Sequence, residues 1–271
     1  MIRQNLHTHT SFDDGINTVA EMAQAAVDAG LTSLGFSGHS PLPYANEWSM
    51  TPEGETAYRA AVAEAKTAFA GQLEILCGLE WDMLSPPPKG YDYVIGSIHH
   101  LTPPSATPPP SADESPEASL RAVERYYGGD PAAMAEAYYS QYETMAKKSF
   151  VDIVGHFDLL TKFDEKAHIF DPDDPRYIDA AMAALELLLR ADKIFEVNTG
   201  AMSRGWRTTP YPSRYFLREL RTRKARVLVA SDSHSAAAVA HAFPETEALL
   251  REIGFAERWE LTEIGFAPVK L

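Results

Sequence analysis

Cysteine is almost absent from this sequence of 271 residues, in which Cys77 is the only one. A single cysteine excludes a disulfide within the chain, and we expect Cys77 to lie in the core of a protein from the reducing cytoplasm. No apolar run approaches the roughly 20 residues that a membrane-spanning helix needs, and residues 1–6 do not resemble a signal peptide. These absences predict a soluble cytoplasmic protein that has no membrane partner.

Basic residues are also scarce, since 24 lysines and arginines stand against 38 aspartates and glutamates, for a formal net charge of −14. This balance disfavours an extended nucleic-acid or anionic-membrane surface, because both require positive charge. The 45% of hydrophobic residues suffices for a sizeable core. No change in composition marks a domain boundary, so we expect a single domain over residues 1–271.

Short apolar stretches alternate with helical patterns along the chain. Strands are predicted at 2–6, 34–36, 74–79, 93–98, 152–154, 194–197 and 227–230, with one more at 260–264. Helices are predicted at 19–29, 52–70, 131–148, 177–191 and 212–224, and within 236–253. Strands separated by helices predict βαβ units and a parallel sheet. This number of units predicts an α/β fold with a closed or distorted barrel rather than an open sheet.

Residues 102–116 depart from this pattern, because they are rich in proline, serine and alanine. Such a composition is typical of a loop without regular structure. Two interpretations are open. The segment is either a mobile lid beside the functional site or a solvated excursion of the surface.

Histidines and carboxylates recur where the predicted strands end. The series is Asn5-Leu6-His7-Thr8-His9, Ser37-Gly38-His39, Gly78-Leu79-Glu80, Gly96-Ser97-Ile98-His99, Val154-Gly155-His156 and Ser231-Asp232-Ser233-His234. In a barrel, the carboxyl ends of the strands meet at one mouth, which is where the site lies. We therefore expect these side chains to share one pocket with ligands for several divalent metal ions.

Each of these residues alone has an ordinary explanation. His7 and His9 are two apart on a strand, so their rings point the same way. His100 should face away from His99, and it has either a structural role or a role in supporting a ligand. Asp14 lies in an Asp-Asp-Gly turn, and alone it is typical of turn chemistry. The joint pattern is what predicts metal binding. Nitrogen and oxygen ligands without a thiolate suit Zn²⁺, Mn²⁺ or Fe²⁺.

These motifs resemble, in order and over nearly the whole chain, those of the polymerase-and-histidinol-phosphatase (PHP) superfamily. Within it, the chain is most similar to the stand-alone histidinol-phosphatases, through residues 153–163 (IVGHFDLLTKF) and through 196–205, which include Arg204. The resemblance implies a distorted (β/α)7 TIM-like barrel. It also implies a trinuclear metal site at the C-terminal ends of the strands.

The resemblance further implies which residues would hold two or three divalent ions. The three sets are His7, His9, Glu80 and Asp232 for one ion, a bridging Glu80 with His99 and His156 for the second, and Asp14, His39 and His234 for the third. Asp14 stands where many relatives have histidine. The third site is therefore the one in which this chain departs from the family pattern.

Metal ions that neutralise phosphate oxygens suit phosphoryl transfer to water. No aspartate or serine of the set is placed to form a phosphoenzyme. His39, Asp14 and His234 are alternative proton donors or positioning groups for the leaving alkoxide. The family resemblance makes Arg204 and Lys162 phosphate or substrate contacts, with Arg207 a weaker candidate.

The predicted function is hydrolysis of L-histidinol phosphate to L-histidinol and phosphate in histidine biosynthesis. Asp158 or Glu196 is a candidate contact for the amine and imidazole of that substrate. Two alternatives are open. The first is a PHP phosphoesterase for another small phosphate ester or a nucleotide, and the second is a non-catalytic metal-binding module. The sequence carries no signature of an oligomeric state.

Overall fold

Seven parallel strands form the main sheet of the computed structural model, which describes residues 1–103 and 105–271. The strands are adjacent in chain order: β1 (Gln4–Asn5), β2 (Ser33–Phe36), β3 (Glu74–Asp82), β4 (Tyr93–Ser97), β5 (Ile153–Val154), β6 (Ile194–Asn198) and β7 (Val227–Ala230). The chain beyond β1 also meets the chain beyond β7, because the backbone N–H of His9 donates to the Ser233 carbonyl at 2.9 Å. The sheet is therefore a nearly closed, TIM-like barrel, which confirms the prediction.

Helices occupy the connections between the strands. They are α1 (Val19–Asp28), α2 (Pro52–Ala68), α3 (Pro116–Tyr126), α4 (Pro131–Ser140), α5 (Tyr142–Ala146), α6 (Asp164–Ala167), α7 (Pro175–Arg190), α8 (Gly200–Ser203), α9 (Arg214–Thr222) and α10 (Phe243–Ile253), with 3₁₀ turns at Leu159–Thr161 and Ala236–Ala238. Their starts follow from local sequence. Thr18 and Glu21 form a reciprocal capping box on α1, and the Asp130 carboxylate caps α4 just before Pro131. No helix of the described residues is long and apolar enough to cross a membrane.

A small apolar cluster made of strand residues fills the barrel interior, and its largest member is Tyr93. The Tyr93 hydroxyl donates to the Leu6 carbonyl at 2.5 Å. Its ring lies where Gly35 and Gly78 carry no side chain, since a Cβ at either position would lie 2.2 Å from Tyr93 atoms. The two glycines therefore make room for one tyrosine to tie three strands together.

The C-terminal part of the chain forms a hairpin of β8 (Glu257–Thr262) and β9 (Gly265–Lys270). One strand over residues 260–264 was predicted there. The chain instead reverses at 263–264, where Gly265 has a φ of +106° that favours glycine. Leu261 and Phe266 of this hairpin pack against the interior cluster, so the hairpin covers the end of the barrel opposite the metal-ligand candidates.

Two further predictions about helices need correction. The predicted helix 131–148 is divided into α4 and α5 at Gln141, whose side-chain amide donates to the His100 carbonyl at 3.0 Å. The predicted helical segment 236–253 likewise contains a 3₁₀ turn followed by α10. Helix α3 was not predicted, although Ser115 caps it and Pro116 occupies its first turn.

The Pro-rich segment, residues 102–116, packs beside the C-terminal mouth of the barrel. Its described residues include Ala112, which is fully buried and donates its N–H to the His99 carbonyl at 2.8 Å. The Leu101 N–H donates to the Pro110 carbonyl at 2.8 Å. Ser111, Asp113 and Glu114 of this segment line the cavity described below, so its described residues form part of the site wall rather than a solvated excursion of the surface. Movement as a lid stays a prediction. Pro104 lies outside the described residues.

Candidate metal centre

The strand ends bring the predicted ligands together at the C-terminal mouth of the barrel. Seven of the nine line one cavity of about 580 Å³, and the other two, His7 and His9, lie against Glu80 behind its wall. His7 and His9 follow β1, His39 follows β2, Glu80 lies within β3, and His99 follows β4. On the other side, His156 follows β5, while Asp232 and His234 follow β7. The ninth predicted ligand, Asp14, lies in the loop after His9. The structure thus gathers all nine.

Glu80 lies at the centre of this cluster and is fully buried. Its Oε2 is 2.8 Å from His39 Nδ1 and 3.3 Å from His7 Nε2. Its Oε1 is 2.9 Å from His156 Nε2 and 3.3 Å from His99 Nε2. A carboxylate with imidazole nitrogens at both oxygens has the arrangement of a bridging metal ligand.

The other two carboxylates extend the cluster towards the exposed side of the cavity. Asp232 Oδ1 lies 3.3 Å from His9 Nε2 and 3.7 Å from His7 Nε2. Asp14 Oδ1 lies 3.2 Å from His234 Nε2 and 3.7 Å from His39 Nε2. Asp14 therefore has histidine neighbours, and turn chemistry alone does not account for its position.

Several buried atoms of the cluster have no hydrogen-bond partner among the described residues. Among them are His7 Nε2, His9 Nε2, His39 Nδ1 and Glu80 Oε2. His39 Nδ1 and Glu80 Oε2 lie 2.8 Å apart but do not have the geometry of a hydrogen bond. A buried polar atom without a partner is costly, and these four point at a common volume. Divalent cations would satisfy them, so the residues present fit the metal ions implied by the sequence.

Three groups of ligand atoms lie close enough together to hold an ion, within 4.8 Å of one another. They are His9, Asp14, His39 and His234; His7, His9 and Asp232; and His39, Glu80 and His99. The predicted sets overlap with these groups, but the structure places His39 beside Glu80 as well as beside Asp14. Imidazole nitrogen and carboxylate oxygen are the donors that suit zinc, manganese and iron.

The carboxylates of the cluster are held in their ionised, metal-binding form. Burial would raise the pKa of Glu80, but His39, His7 and His99 together hold that pKa well below its usual range. Burial would likewise raise the pKa of Asp232, and the Arg204 guanidinium beside it is the main cause that holds it well below normal. Ionised carboxylates are the form that ligates a cation.

Two carboxylates outside the cluster orient its histidines. Glu196 Oε1 lies 2.6 Å from His7 Nδ1, and Asp13 Oδ2 lies 2.6 Å from His9 Nδ1. A carboxylate at Nδ1 fixes the ring so that Nε2 faces the cluster. Sequence reasoning missed these roles. The available signals were the position of Glu196 on a strand beside the site and the Asp-Asp pair after His9.

The structure contradicts the prediction that Glu196 or Asp158 contacts the substrate. Besides His7, Glu196 accepts from the His156 N–H at 2.8 Å and from Asn198 Nδ2 at 2.9 Å, so both of its oxygens are engaged. Asp158 is fully buried and accepts from the Ser213 N–H at 2.8 Å. Neither residue lines the cavity.

The alternation of side chains along a strand predicts that His100 faces away from His99. The structure shows a different arrangement. Both rings reach one carboxylate, since His99 Nδ1 and His100 Nδ1 each lie 3.2 Å from Asp82 Oδ2. The reason is that β4 ends at Ser97, so the alternation no longer applies. Asp82 was missed as well, although it is two residues after Glu80 on β3.

Both predicted phosphate contacts line the cavity. Arg204 Nη2 lies 3.1 Å from Asp232 Oδ2, and its Nη1 lies 2.9 Å from His234 Nδ1. Lys162 Nζ lies 2.8 Å from Asp113 Oδ2 in the Pro-rich segment. The weaker candidate, Arg207, is buried under Thr161 and does not line the cavity.

Comparisons with known proteins agree with this fold and identify the family of the chain. The model of the PHP domain matches residues 5–200. The "Probable histidinol-phosphatase" of Deinococcus radiodurans is 32% identical in an alignment of 263 residues that covers 92% of this chain and 92% of the relative. Histidinol phosphate phosphatase from Lactococcus lactis, solved with zinc, L-histidinol and phosphate, covers 98% of both chains with a TM-score of 0.72 and 16% identity. A structure from Listeria monocytogenes has a TM-score of 0.77 and 20% identity, covering 89% of this chain and 99% of its own.

The solved structures share the TIM-like barrel fold of this chain. At 16% and 20% identity, these structures support the fold alone. The family model spans the ligands from His7 to His156. The chain belongs to the PHP family.

Proposed function

We propose that this chain is a metal-dependent phosphomonoesterase that hydrolyses L-histidinol phosphate to L-histidinol and phosphate. The observation that carries the proposal is the set of buried, unpartnered ligand atoms around Glu80, which lines the same cavity as Arg204. The name of the relative in Deinococcus radiodurans, which is similar over 92% of the chain, supports the choice of substrate. Residues 1–271 would act as one domain, and a role in histidine biosynthesis in the cytoplasm follows as a prediction.

In this proposal the chain holds two or three divalent ions. The ligands are those expected from the sequence: His7, His9, Asp14, His39, Glu80, His99, His156, Asp232 and His234. The cations would neutralise charge on the phosphate and lower the pKa of the attacking water. The two neighbouring carboxylates, Glu196 and Asp13, orient the rings of His7 and His9 for this purpose.

Arg204 and Lys162 are the cations of the chain itself that we assign to the phosphate. Arg204 is about 29% exposed, and it lies at the edge of the cluster against Asp232 and His234. A guanidinium in this position binds phosphate oxygens with paired hydrogen bonds. Lys162 adds a second positive group, which Asp113 holds at the cavity wall.

The leaving alkoxide needs a proton or a positive neighbour. His234 and Asp14 lie on the more exposed side of the cluster, 3.2 Å apart, and His39 lies 3.7 Å from the same Asp14 oxygen. We assign the leaving oxygen to this side, where the side chains of Asp14 and His234 contact both the cluster and the open cavity.

The outer wall of the cavity suits the amine and imidazole of L-histidinol phosphate. Glu47, Asp113 and Glu114 line it, together with the indole of Trp48. Negative charge there would attract a protonated amine, and an aromatic face would pack against an imidazole ring. A volume of about 580 Å³ is in the ordinary range for small-molecule sites.

Steady-state phosphate release tests the proposal. Protein loaded with Zn²⁺ or Mn²⁺ is expected to release phosphate from L-histidinol phosphate and to lose this activity in the presence of a chelator. Sugar, nucleotide and amino-alcohol phosphates serve as competing substrates. A kcat/KM for L-histidinol phosphate no higher than for these esters would refute the substrate. No phosphate release from any ester by fully loaded protein would refute the phosphatase.

A further inference from the structure

Four side chains form a continuous row of hydrogen bonds from the protein surface to the candidate metal centre. The Tyr44 hydroxyl lies 2.5 Å from His100 Nε2. His100 Nδ1 and His99 Nδ1 both lie 3.2 Å from Asp82 Oδ2. His99 Nε2 then faces Glu80 Oε1 at 3.3 Å. We refer to Tyr44, His100, Asp82 and His99 as the relay.

The positions of the protons follow from the chemistry of the groups. An ionised carboxylate only accepts hydrogen bonds, so both Nδ1 atoms that contact Asp82 carry a proton. His100 Nε2 is then free to accept from the Tyr44 hydroxyl. His99 Nε2 faces Glu80 Oε1, which is the side on which a metal ligand must point, and the contact of Nδ1 with Asp82 holds the ring in that orientation.

Asp82 is held rigidly enough to transmit an orientation. Its other oxygen, Oδ1, accepts from the Leu84 N–H at 2.7 Å, and its own N–H donates to Ser40 Oγ at 3.0 Å. Asp82 is 2% exposed. The indole of Trp48 covers the relay, with its ring centroid 5.5 Å from that of His99 and 5.7 Å from that of His100.

We propose that Tyr44 and His100 are positioning residues that act through Asp82 to fix the ring and tautomer of His99, and so set metal affinity where His39, Glu80 and His99 meet. The proposal deepens the proposed function, because it rests on the same metal centre. The Tyr44 hydroxyl contacts His100 Nε2 and so holds the ring in place, and His100 shares the oxygen of Asp82 that orients His99. Mutation of a residue that orients a metal-ligating histidine typically lowers metal affinity or activity by about 10- to 100-fold.

Zn²⁺ affinity of the full chain, measured by competition with a chromogenic chelator, tests this inference. Tyr44→Phe removes one hydroxyl, and His100→Phe removes both contacts of the imidazole. We expect each variant to weaken the second or third Zn²⁺ by about 10-fold. The double variant should be no weaker than His100→Phe alone, because Tyr44 acts only through His100.

Tyr91→Phe is the matched control, since the Tyr91 hydroxyl donates to Glu55 at the same 2.5 Å distance but outside the cavity. Native Zn²⁺ affinity in both relay variants, or losses no larger than in Tyr91→Phe, would overturn the proposal. If His100→Phe does not fold, the Zn²⁺ affinity of Tyr44→Phe relative to Tyr91→Phe is the test of the proposal. The two proposals can fail separately. If the relay variants bind Zn²⁺ more weakly but the native protein does not hydrolyse L-histidinol phosphate, the proposed function is refuted and this inference stands.

Discussion

Replacing Glu196 with glutamine should weaken the metal centre without changing any ligand. Glu196 is fully buried and accepts from three donors: His7 Nδ1 at 2.6 Å, the His156 N–H at 2.8 Å and Asn198 Nδ2 at 2.9 Å. These donors occupy both carboxylate oxygens, and glutamine has only one oxygen. In either orientation, the NH₂ of the introduced amide would face a buried donor.

The size of the effect can be worked out from these contacts. A buried donor left without a partner costs about 1–3 kcal/mol, and loss of a carboxylate behind a metal-ligating histidine typically costs about 10- to 100-fold in metal affinity. At 1.36 kcal/mol per tenfold change, 10- to 100-fold corresponds to about 1.4–2.7 kcal/mol. We therefore expect Glu196→Gln to lower Zn²⁺ affinity by at least about 10-fold and to reduce activity at limiting metal.

Chelator competition measures the affinity, and phosphate release at graded Zn²⁺ measures the activity. Glu186→Gln is the control, because Glu186 is a half-exposed glutamate that pairs with Arg190 on the outside of the barrel. Excess Zn²⁺ should restore much of the activity of Glu196→Gln. Unchanged Zn²⁺ affinity in a folded Glu196→Gln variant would show that the contact with His7 does not orient a metal ligand.

Three further predictions concern the cavity itself. His9→Ala and Asp232→Asn should lose bound metal and phosphatase activity together, as metal analysis would show, and inactivity with full metal content would contradict their ligand role. Arg204→Ala should raise KM by about 10-fold or more, because a charge-assisted contact to phosphate contributes roughly 1.5–3 kcal/mol; unchanged KM and kcat would contradict the phosphate contact. Glu47→Gln combined with Glu114→Gln should raise KM for L-histidinol phosphate several-fold but leave amine-free phosphate esters unaffected, and equal effects on both substrates would exclude recognition of the amine.

The positions of most of the predicted ligands follow from short local patterns, whereas Asp14 was predicted from the family resemblance. An apolar strand followed by histidine or carboxylate identifies the mouth of a parallel barrel, and His7, His99 and Asp232 all follow this rule. The partners of these residues could not be predicted in the same way. Glu196 reaches His7 across the barrel, at a sequence separation of 189 residues, and no local pattern encodes that distance.

Local rules also failed where a regular element ends. The alternation of side chains on β4 stops at Ser97, and the prediction for His100 assumed that it continued. The helix over 131–148 has an uninterrupted helical composition, yet contact between Gln141 and the His100 carbonyl accompanies its division. In both cases a tertiary contact decides the conformation of a few residues at the end of an element.

The closure of the barrel between β1 and β7 has a consequence for folding. His9 and Ser233 are joined by a backbone hydrogen bond, and Asn5 donates to Ser231 at 2.7 Å across 226 residues of sequence. Contacts of such long range form late, because a large loop must close first. A chain still lacking β7 would have His7 and His9 but not Asp232 or His234. Divalent cations should therefore stabilise the product of the last folding step, in which β7 joins β1. Their removal should speed an unfolding that begins where these two strands meet.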